Sequence, residues 1–316
     1  MIGAVDIGGT KVAVGVLDET GRVLSKRSAA TGSSCSYPDA VGRIESMLRS
    51  AEKEAGASIT GIGIGSTGPV DPFTGQFGDI DLLPLWRDAN LVEDLGQIFK
   101  VKTAIENDAD AGALAEANWG AGKGSKRFVY VTVGTGIGGG IILDGQLYRG
   151  VDGAHPEICH QVINDDGPEC SCGLRGCWEA LARGPAMAAW FQSQLPPECR
   201  EQENITAKEI CQLAREQNEL ALRTVKREAY YLGLGLANII NLFVPDVVVL
   251  GGGMMRSSDL LMEPALAVVR QGCRFVPLEK TEIVLASLGD DVNLIGAGRV
   301  WYHRFMSSAH AGSVFA

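Results

Sequence analysis

Apolar and polar positions first fall into short runs along this chain. The opening segment AVDIGGTKVAVGVLDETGRVL contains apolar runs separated by a Gly-Gly-Thr turn and by a second, polar turn. Runs of strand length bounded by such turn residues predict strands joined as hairpins. Setting Asp6 against Thr132 aligns this segment with VYVTVGTGIGGGIILDGQLYRG and places Gly8 on Gly134. The same hairpin unit is therefore used twice, which indicates an internal duplication.

Elsewhere the pattern becomes helical. Apolar residues at three- and four-residue spacing predict helices over Ala40–Ala55, Ala109–Trp119, Ala207–Gln217 and Ala221–Leu242. The short apolar runs GIGIGS, KTAIEN and DVVVLGGG have strand length and end in polar or glycine residues. Strands that alternate with helices predict an α/β fold. Two hairpin-led halves predict two similar lobes with a ligand-binding cleft between them. We expect a first lobe of 1–119, with a C-terminal helix 297–316 packing back on it, and a larger lobe of 120–296.

Composition and charge narrow the possible functions. At 316 residues and 46% hydrophobic, the chain can bury a large core. Its net charge of −10 argues against a nucleic-acid surface, which would need a basic patch. No apolar run is long enough to cross a bilayer, and the segment MIGAVDIGGTK lacks the features of a signal peptide. We therefore expect a cytoplasmic protein that binds neither nucleic acid nor membrane.

The cysteines are unevenly spaced. Of eight in the chain, four fall between 159 and 177, and three of these lie in PECSCGLRGCWEA. Because disulfides are rare in the cytoplasm, this clustering favours a metal site. A redox switch, a strained disulfide and unligated structural cysteines are the alternatives. The scattered thiols, interpreted as bystanders, are Cys35, Cys199, Cys211 and Cys273.

The two glycine turns suit phosphate binding. A tight glycine turn presents backbone N–H groups to an anion and leaves room where a Cβ would block a phosphate. An ordinary hairpin turn is the alternative, but two matched turns, each with a threonine (Thr10 and Thr135), favour phosphate. Asp6 stands at the end of an apolar run just before the first turn, which suits a water-mediated ligand of Mg²⁺.

Three segments suggest other chemistry and fit it poorly. GTGIGG (134–139) matches a dinucleotide fingerprint but is followed by a predicted strand where a helix is required. GAGKGS (120–125) has glycine where a Walker loop requires Ser or Thr after the lysine. HPE (155–157) followed by Pro-Glu-Cys-Ser-Cys resembles a zinc deaminase, whose second half is Pro-Cys-x-x-Cys. The deaminase is the alternative outside phosphoryl transfer.

Five segments together resemble a known family. DIGGTK, ENDADAGALAE, GTGIGGG, HPEICH and CSCGLRGCWEA occur in the order seen in the ROK family of sugar kinases and repressors. The resemblance extends from residue 4 to about 300, and its cysteine block is the most specific part. It implies the two-lobed actin-like, RNase H-like ATPase fold shared with hexokinases. Family repressors carry an N-terminal helix-turn-helix, and here the first strand begins at residue 2. The resemblance therefore implies an ATP-dependent hexose kinase, most of all a homodimeric glucokinase.

The resemblance also assigns roles to residues. Asp108 matches the catalytic base, which accepts the proton of the sugar hydroxyl in phosphoryl transfer; an N-capping Asn-Asp pair is the alternative. Sugar contacts are assigned to Gly68, Asn107, Asp108, Glu157, His160 and Glu179. Contacts to ATP and its Mg²⁺ are assigned to Asp6, Gly8, Gly9, Thr10, Lys11, Gly134, Thr135, Gly136, Gly138, Gly252 and Gly253.

A structural zinc site is implied in the same way. Its matching ligands are His160, Cys170, Cys172 and Cys177, a closed Cys₃His set. Zinc on one nitrogen of His160 would orient the other nitrogen toward the sugar, and it would hold the loop that carries Glu157 and Glu179.

Two departures from the family pattern concern the sugar. Cys159 replaces the usual glycine, and the loop GDIDLLPLWRDANL lacks the Pro-Asn-Leu of family glucokinases. A kinase for N-acetylmannosamine, fructose or another hexose is therefore the first alternative. A sugar-sensing protein without catalysis is the alternative of a different class.

Overall fold

The computed structural model describes residues 1–32, 35–200 and 205–306, without the side chains of residues 199 and 200. Its strands are β1 (Ile2–Ile7), β2 (Lys11–Leu17), β3 (Val23–Ala30), β4 (Gly61–Ser66), β5 (Lys102–Asn107), β6 (Phe128–Val133), β7 (Ile137–Leu143), β8 (Gln146–Leu147), β9 (Val247–Gly251) and β10 (Glu282–Leu285). Its α-helices are α1 (Tyr37–Ala55), α2 (Leu91–Phe99), α3 (Asp108–Trp119), α4 (Trp178–Ala182), α5 (Gly184–Ser193), α6 (Pro197–Arg200), α7 (Ala207–Arg215), α8 (Glu219–Phe243), α9 (Ser258–Gly272) and α10 (Val292–Met306).

The strands form two sheets with matching strand order. The first sheet has the order β3-β2-β1-β4-β5, and the second has the order β10-β9-β6-β7-β8. Read from its other end, the second sheet repeats the first: each has its third, second, first, fourth and fifth strand in that order. In the first sheet β1 pairs antiparallel with β2 and parallel with β4, and β4 pairs parallel with β5. The predicted α/β fold with a duplicated, hairpin-led core is therefore confirmed.

The helices and short strands predicted from the sequence are present within a few residues of their predicted ends. Helices α1, α3, α7 and α8 match the four helical segments, and β4, β5 and β9 match the three apolar runs. The beginning of α10 was not predicted, because Gly296 and Gly298 interrupt its apolar pattern. The close packing of α10 on β4 depends on glycine, since a Cβ on Gly63 would overlap the carbonyl group of Ala297.

The chain divides into two compact units. The first comprises Met1–Gly124, Gly140–Pro156 and Ser287–Ala316, and the second comprises Ser125–Gly139 and Glu157–Ala286. The expected boundaries at 119/120 and 296/297 differ from this division. Residues 140–156 belong with the first unit because Gly140 packs on α3, where a Cβ would meet Ala113. The chain rejoins that unit at Ser287, whose backbone N–H donates to Glu116 of α3 at 3.0 Å.

Each unit has its own buried core. In the first unit α1 packs on β2 and β3, while α10 packs on α3, β1 and β4. In the second unit α8 packs against α4, α7 and α9. Trp178 is fully buried there against Gly235 of α8, where no Cβ would fit. The end of the predicted C-terminal helix, residues 307–316, lies outside the described residues. No helix in the described part of the chain combines the length and apolarity needed to cross a membrane.

Candidate functional site

The carboxyl ends of the parallel strands in the first sheet carry three predicted site residues. Asp6 is the second-last residue of β1, Asn107 ends β5, and Asp108 begins α3. Asp6 pairs in register with Gly65 of β4, and Gly65 pairs with Glu106 of β5. Because these strands run parallel, the polar residues lie at one edge of the sheet, the edge where open α/β sheets bind ligands.

The start of α3 is held by local hydrogen bonds. The backbone N–H of Ala109 lies 2.8 Å from Oδ1 of Asn107 and 2.8 Å from Oδ1 of Asp108. Asn107 is thus an N-cap, as the alternative interpretation proposed. The cap uses the amide oxygen, while Nδ2 of Asn107 lies beside Gly68, 3.2 Å from the position a Cβ would take there. Capping by Asn107 is therefore compatible with a second role for its amide nitrogen.

The carboxyl group of Asp6 has a strongly raised pKa. Burial, together with the negative charge of Asp108, raises the pKa of Asp6 to about 7, although Lys11 lowers it in part. A neighbouring carboxylate that raises the pKa of Asp6 in this way favours a bound cation. Oxygen ligands of this kind suit Mg²⁺, so the residues present fit the metal expected with ATP.

We expect Asp6→Asn to stabilise the metal-free protein at pH 8. The folded protein holds the proton of Asp6 more tightly than the unfolded chain, whose value is 3.8. The contribution of this group to stability is therefore fully present below pH 3.8 and is lost as the pH rises toward 7. Asparagine removes that loss, so melting temperatures in EDTA should show a larger gain at pH 8 than at pH 5. Asp18→Asn is the control, because hydrogen bonds from Thr20 lower the pKa of Asp18 and their loss should destabilise the protein about equally at pH 5 and pH 8. Equal gains for Asp6→Asn at both pH values would contradict the raised pKa.

The first glycine turn closes the β1–β2 hairpin. The N–H of Gly8 donates to the carbonyl of Lys11 at 3.0 Å, and Thr10 and Lys11 are exposed beside it. A Cβ on Gly9 would lie 2.5 Å from the side chain of Leu82. Leu82 comes from the loop GDIDLLPLWRDANL, so this loop packs over the turn.

The second glycine turn lines a cavity within the second unit. The N–H of Gly134 donates to the carbonyl of Gly136 at 2.8 Å, and Gly134, Thr135 and Gly253 line a cavity of about 830 Å³. A Cβ on Gly134 would come no nearer than 3.8 Å to the N atom of Gly253, and a Cβ on Gly253 would meet nothing within 4 Å. The structure thus brings the glycines that follow β6 and β9 together around open space of ligand size.

The other glycines assigned to the nucleotide have different surroundings. Gly252 has a φ of +87°, and a Cβ there would overlap the carbonyl of Val133, so this glycine allows β9 to end close against β6. Gly136 faces a predicted sugar ligand, because a Cβ there would lie 2.7 Å from Oε2 of Glu179. Gly138 lies within β7.

Glu179 is held at the second glycine turn. It lies in the first turn of α4, and its Oε2 accepts a hydrogen bond from the N–H of Ile137 at 2.9 Å. Glu157 is exposed, and its Oε2 lies 3.5 Å from the Sγ of the buried Cys159. His160 also lies close, since its ring nitrogens, the Glu157 carboxylate and the Cys159 thiol include atoms within 4.8 Å of one another. The thiol of Cys159, at a position where the family pattern has glycine, therefore lies next to a predicted sugar ligand.

The cysteine cluster offers side-chain atoms that could hold a metal ion. His160, Cys170, Cys172 and Cys177 offer ligand atoms that all lie within 4.8 Å of one another. Nδ1 of His160 is 3.4 Å from Sγ of Cys170, and Sγ of Cys172 is 3.4 Å from Sγ of Cys177. Ligand atoms of tetrahedral zinc are separated by about 3.5–3.8 Å, whereas a disulfide needs about 2.05 Å. The donor set therefore fits zinc, and Nδ1 of His160 is the nitrogen that faces the thiols.

The chain around this cluster folds through glycine. Cys170 N–H donates to the carbonyl of Leu174 at 2.8 Å, and Val162 pairs with Cys177 in an isolated bridge. Gly176 has a φ of +69°, and a Cβ there would overlap the carbonyl of Asn164. Helix α4 begins directly after Cys177. The loop thus brings distant thiols together and leads directly to Glu179.

The structure gives other roles to two of the misleading segments. The segment GAGKGS follows α3, where Oε2 of Glu116 accepts the N–H of Ala121 at 2.8 Å, so it is a helix end. His155 of HPE has its Nδ1 2.8 Å from Oδ2 of Asp110, while the three cysteines cluster around His160. Neither arrangement matches a Walker loop or a deaminase.

Sequence reasoning missed cationic residues at the cavity. Its lining includes Lys208 and Arg215 of α7 and Arg256 after β9. Arg215 is paired with Asp259 at 2.7 Å. On an amphipathic helix such as α7, charged residues are expected to face solvent, and only the tertiary fold shows that they border a cavity. Cys211, interpreted from the sequence as a bystander, also lines it.

We expect alanine at the cavity glycines to weaken ATP binding without affecting the fold or sugar binding. Gly134→Ala or Gly253→Ala places a Cβ in open space, so folding should be kept while the KM for ATP rises roughly tenfold or more. The KM for the sugar should change little. The comparison is Gly136→Ala, whose Cβ would meet Glu179, so the KM for the sugar should rise as well as the KM for ATP. Equal changes in both constants for Gly134→Ala would assign the cavity to something other than the nucleotide.

Comparison with known proteins identifies the chain. The ROK family model matches residues 2–304. A glucokinase of Thermotoga maritima is 32% identical over 94% of this chain and 95% of its own length. A glucokinase of Streptomyces coelicolor is 34% identical over 93% and 95%. A xylose repressor of Bacillus subtilis is 32% identical over 70% of this chain but only 56% of its own length.

Solved structures give the same result. A ROK hexokinase from Thermus thermophilus matches with a TM-score of 0.83 and 34% identity, over 96% of this chain and 98% of its own. A ROK glucokinase from Streptomyces griseus in complex with glucose and AMPPNP matches with a TM-score of 0.79 and 31% identity, over 94% and 97%. With two sheets that share one strand order, the protein has the fold of the actin-like ATPase superfamily. Within that superfamily, the chain belongs to the ROK family.

Proposed function

We propose that this ATP-dependent sugar kinase transfers the γ-phosphoryl group of ATP to the 6-hydroxyl of a hexose, with glucose as the first candidate. The observation that carries the proposal is the pair of carboxylates, Asp6 and Asp108, at the carboxyl edge of the first sheet. Each raises the energy of the other's negative charge, as expected where a metal ion and a reacting hydroxyl belong. Glucokinases related over nearly the full chain support the same reaction.

Asp108 is the proposed general base. The 6-hydroxyl oxygen attacks the γ-phosphorus, the bond from that phosphorus to the bridging oxygen breaks, and ADP leaves. The hydroxyl proton goes to the carboxylate of Asp108. Asp108 is half-buried, and its Oδ1 lies 2.8 Å from the N–H of Ala109, so the carboxylate is held in place before the sugar arrives. Preorganisation of this kind lowers the barrier because little rearrangement is needed at the moment of reaction.

The glycine turns are the proposed phosphate contacts. Gly8, Gly9, Thr10 and Lys11 would serve from the first turn, and Gly134, Thr135, Gly136, Gly138, Gly252 and Gly253 from the second sheet. Mg²⁺, held through water by Asp6, would neutralise charge on the phosphate oxygens. The cavity beside Gly134 and Gly253 is the proposed place for the nucleoside, because its volume of about 830 Å³ suits a ligand of that size.

The sugar contacts are proposed for two sets of residues. In the first unit they are Gly68, Asn107 and Asp108, and in the second they are Glu157, His160 and Glu179. Carboxylates, an amide and an imidazole can each take part in the paired hydrogen bonds that vicinal hydroxyls require. Zinc bound by Nδ1 of His160 with Cys170, Cys172 and Cys177 would hold that ring and loop in place.

The second candidate is a kinase for another hexose or an N-acetylhexosamine. The observation in its favour is the buried thiol of Cys159, 3.5 Å from a carboxylate oxygen of Glu157, at a position where glycine is usual. The xylose repressors among the relatives also keep open a sugar-binding regulator without catalysis. Asp108 and both glycine turns argue for catalysis.

A coupled assay of ADP formation over a panel of hexoses and N-acetylhexosamines tests the proposal. ATP and polyphosphate should be compared as donors with each sugar. Sugar-dependent ADP formation that is highest with glucose supports the first candidate, and preference for another sugar supports the second. Sugar binding without turnover under all conditions would favour the regulator. The homodimer that the resemblance implies is tested by light scattering on the same preparation.

A further inference from the structure

Two buried carboxylates flank the proposed base in the sequence. Glu106 lies two positions before Asp108, at the end of β5, and Asp110 lies two positions after it, in the first turn of α3. The side chains of Glu106 and Asp110 are each only 2% exposed. A buried carboxylate destabilises the folded protein unless it is paired.

Glu106 is paired with two arginines. The guanidinium of Arg149 binds both of its carboxylate oxygens, with Nε 3.2 Å from Oε2 and Nη2 close to Oε1. Nη2 of Arg304, from α10, is 3.6 Å from Oε1 and also donates to the carbonyl of Pro72 at 2.6 Å. The ring of Phe73 lies against both guanidinium groups, at 5.9 Å for Arg149 and 5.3 Å for Arg304. Glu106 is therefore held by arginines from two other parts of the first unit, and residues 72 and 73 contact these arginines.

Asp110 is paired with a histidine from the same segment as Arg149. Nδ1 of His155 is 2.8 Å from Oδ2 of Asp110, and the His155 side chain is 15% exposed. Oδ1 of Asp110 has no hydrogen-bond partner among the described residues. His155 thus provides the side-chain partner that the described residues offer to this buried carboxylate, which also lies in the first turn of α3, where the helix dipole favours a negative charge.

Both pairs join the segment 149–155 to the start of α3. One pair holds the strand that ends before Asp108, and the other holds the helical turn that follows it. Asp108 stands between two anchored positions, so its backbone has little freedom to rotate or slide. A misplacement of about 1 Å in a reacting group can lower a rate by about 10²-fold.

We propose that Glu106–Arg149 and Asp110–His155 are positioning pairs that fix Asp108 in the orientation needed for proton transfer. The inference rests on the proposed sugar kinase function. Neither pair is placed against the reacting atoms: Arg149 and His155 act through the two carboxylates, and these act through the backbone on either side of Asp108. His155 is also two positions before Glu157, so the loss of its pairing should loosen the chain at that sugar ligand.

A double-mutant cycle on Asp110 and His155 tests the inference. His155→Ala should lower kcat at least roughly tenfold, because it leaves a buried carboxylate unpaired beside the base. The KM for ATP should stay within about twofold, and the KM for the sugar should rise modestly. Asp110→Ala should have a similar effect, and the double variant should be no worse than either single variant, since the pair acts as a unit. Asp110→Asn keeps an oxygen acceptor for the ring N–H and should recover most of kcat.

The pair Glu106–Arg149 provides an independent test of the positioning role. Arg149→Lys keeps the charge but loses the two-pronged contact with Glu106, so kcat should fall while the KM for ATP is kept. The matched control is Glu116→Gln, also a fully buried carboxylate of α3. Glu116 accepts backbone N–H groups of Ser287 and Leu288 at 3.0 and 2.9 Å, so its loss should lower the melting temperature and leave kcat intact.

The outcomes separate this inference from the proposed function. A wild type that phosphorylates no sugar overturns both. An active wild type whose His155→Ala and Arg149→Lys variants lose only melting temperature, as Glu116→Gln does, overturns the positioning role alone. Additive effects of Asp110→Ala and His155→Ala on kcat would do the same. If the alanine variants fail to fold, the decision falls to Arg149→Lys and to His155→Asn, which changes the ring but keeps a donor near Asp110.

Discussion

Replacing Asp108 with asparagine is expected to lower kcat by at least roughly 10²-fold while sugar binding is largely kept. Asparagine has nearly the same shape, and its side-chain oxygen can still face the N–H of Ala109, which lies 2.8 Å from Oδ1 of Asp108. It cannot accept the proton of the 6-hydroxyl. The measurements are kcat from the coupled assay and sugar affinity from intrinsic tryptophan fluorescence on the same protein.

The control for this variant addresses the helix itself. Asp39 is also an acidic residue in the first turn of a helix, α1, so Asp39→Asn removes a comparable favourable charge without touching the proposed site. It should leave kcat unchanged. Near-normal turnover of Asp108→Asn would remove Asp108 from the mechanism. Loss of sugar binding together with kcat would instead indicate that the start of α3 had been disturbed.

Local patterns allowed much of the fold to be predicted. KTAIEN predicted β5 and the following apolar spacing predicted α3, because strand length, helical periodicity and a capping asparagine are all properties of neighbouring residues. The hairpin duplication followed in the same way, since each glycine turn sits between two apolar runs. The matched strand orders of the two sheets confirm that this repeat is structural.

Contacts between distant segments could not be predicted in this way. The pairing of Glu106 with Arg149 joins the end of β5 to a loop that follows β8, and no local pattern indicates it. His155 illustrates the same limit, because HPE suggested a metal ligand while the structure places its Nδ1 2.8 Å from Asp110. The return of residues 140–156 to the first unit could not be predicted for a related reason, since it depends on the packing of Gly140 against α3.

The glycines show how structure changes a functional test. All of them look equivalent in the sequence, which predicts that a valine at Gly9 or Gly136 would occupy the space of a phosphate. The structure separates them, because a Cβ on Gly9 would meet Leu82 and a Cβ on Gly136 would meet the carboxylate of Glu179. A substitution at Gly134 or Gly253 instead enters open space beside the cavity.

The second large effect is expected at the cysteine cluster. Purified protein should carry about one zinc per chain, and Cys172→Ser should lose it, because a hydroxyl replaces one of three thiolate ligands. Cys172 is exposed, so the substitution should cost little packing. Without the metal, the loop between Glu157 and Glu179 loses its cross-link. The KM for the sugar should therefore rise sharply, while the affinity for ATP, measured by nucleotide titration, should change little.

The matched control is Cys35→Ser, a thiol outside the cluster, which should keep both zinc and sugar affinity. The measurement is elemental analysis alongside thiol titration, repeated after chelation under reducing conditions.

A redox switch predicts the opposite pattern: an oxidised form that responds to reductant and is unaffected by chelator. The separation of 3.4 Å between the sulfurs of Cys172 and Cys177 suits two ligands of one ion, and a disulfide would require those sulfurs to approach by more than an ångström. Zinc-free protein with full activity would refute the structural metal. If zinc is lost and the KM for the sugar is unchanged, the zinc site is supported but its effect on sugar binding is refuted. His160 would then hold its orientation without zinc on Nδ1.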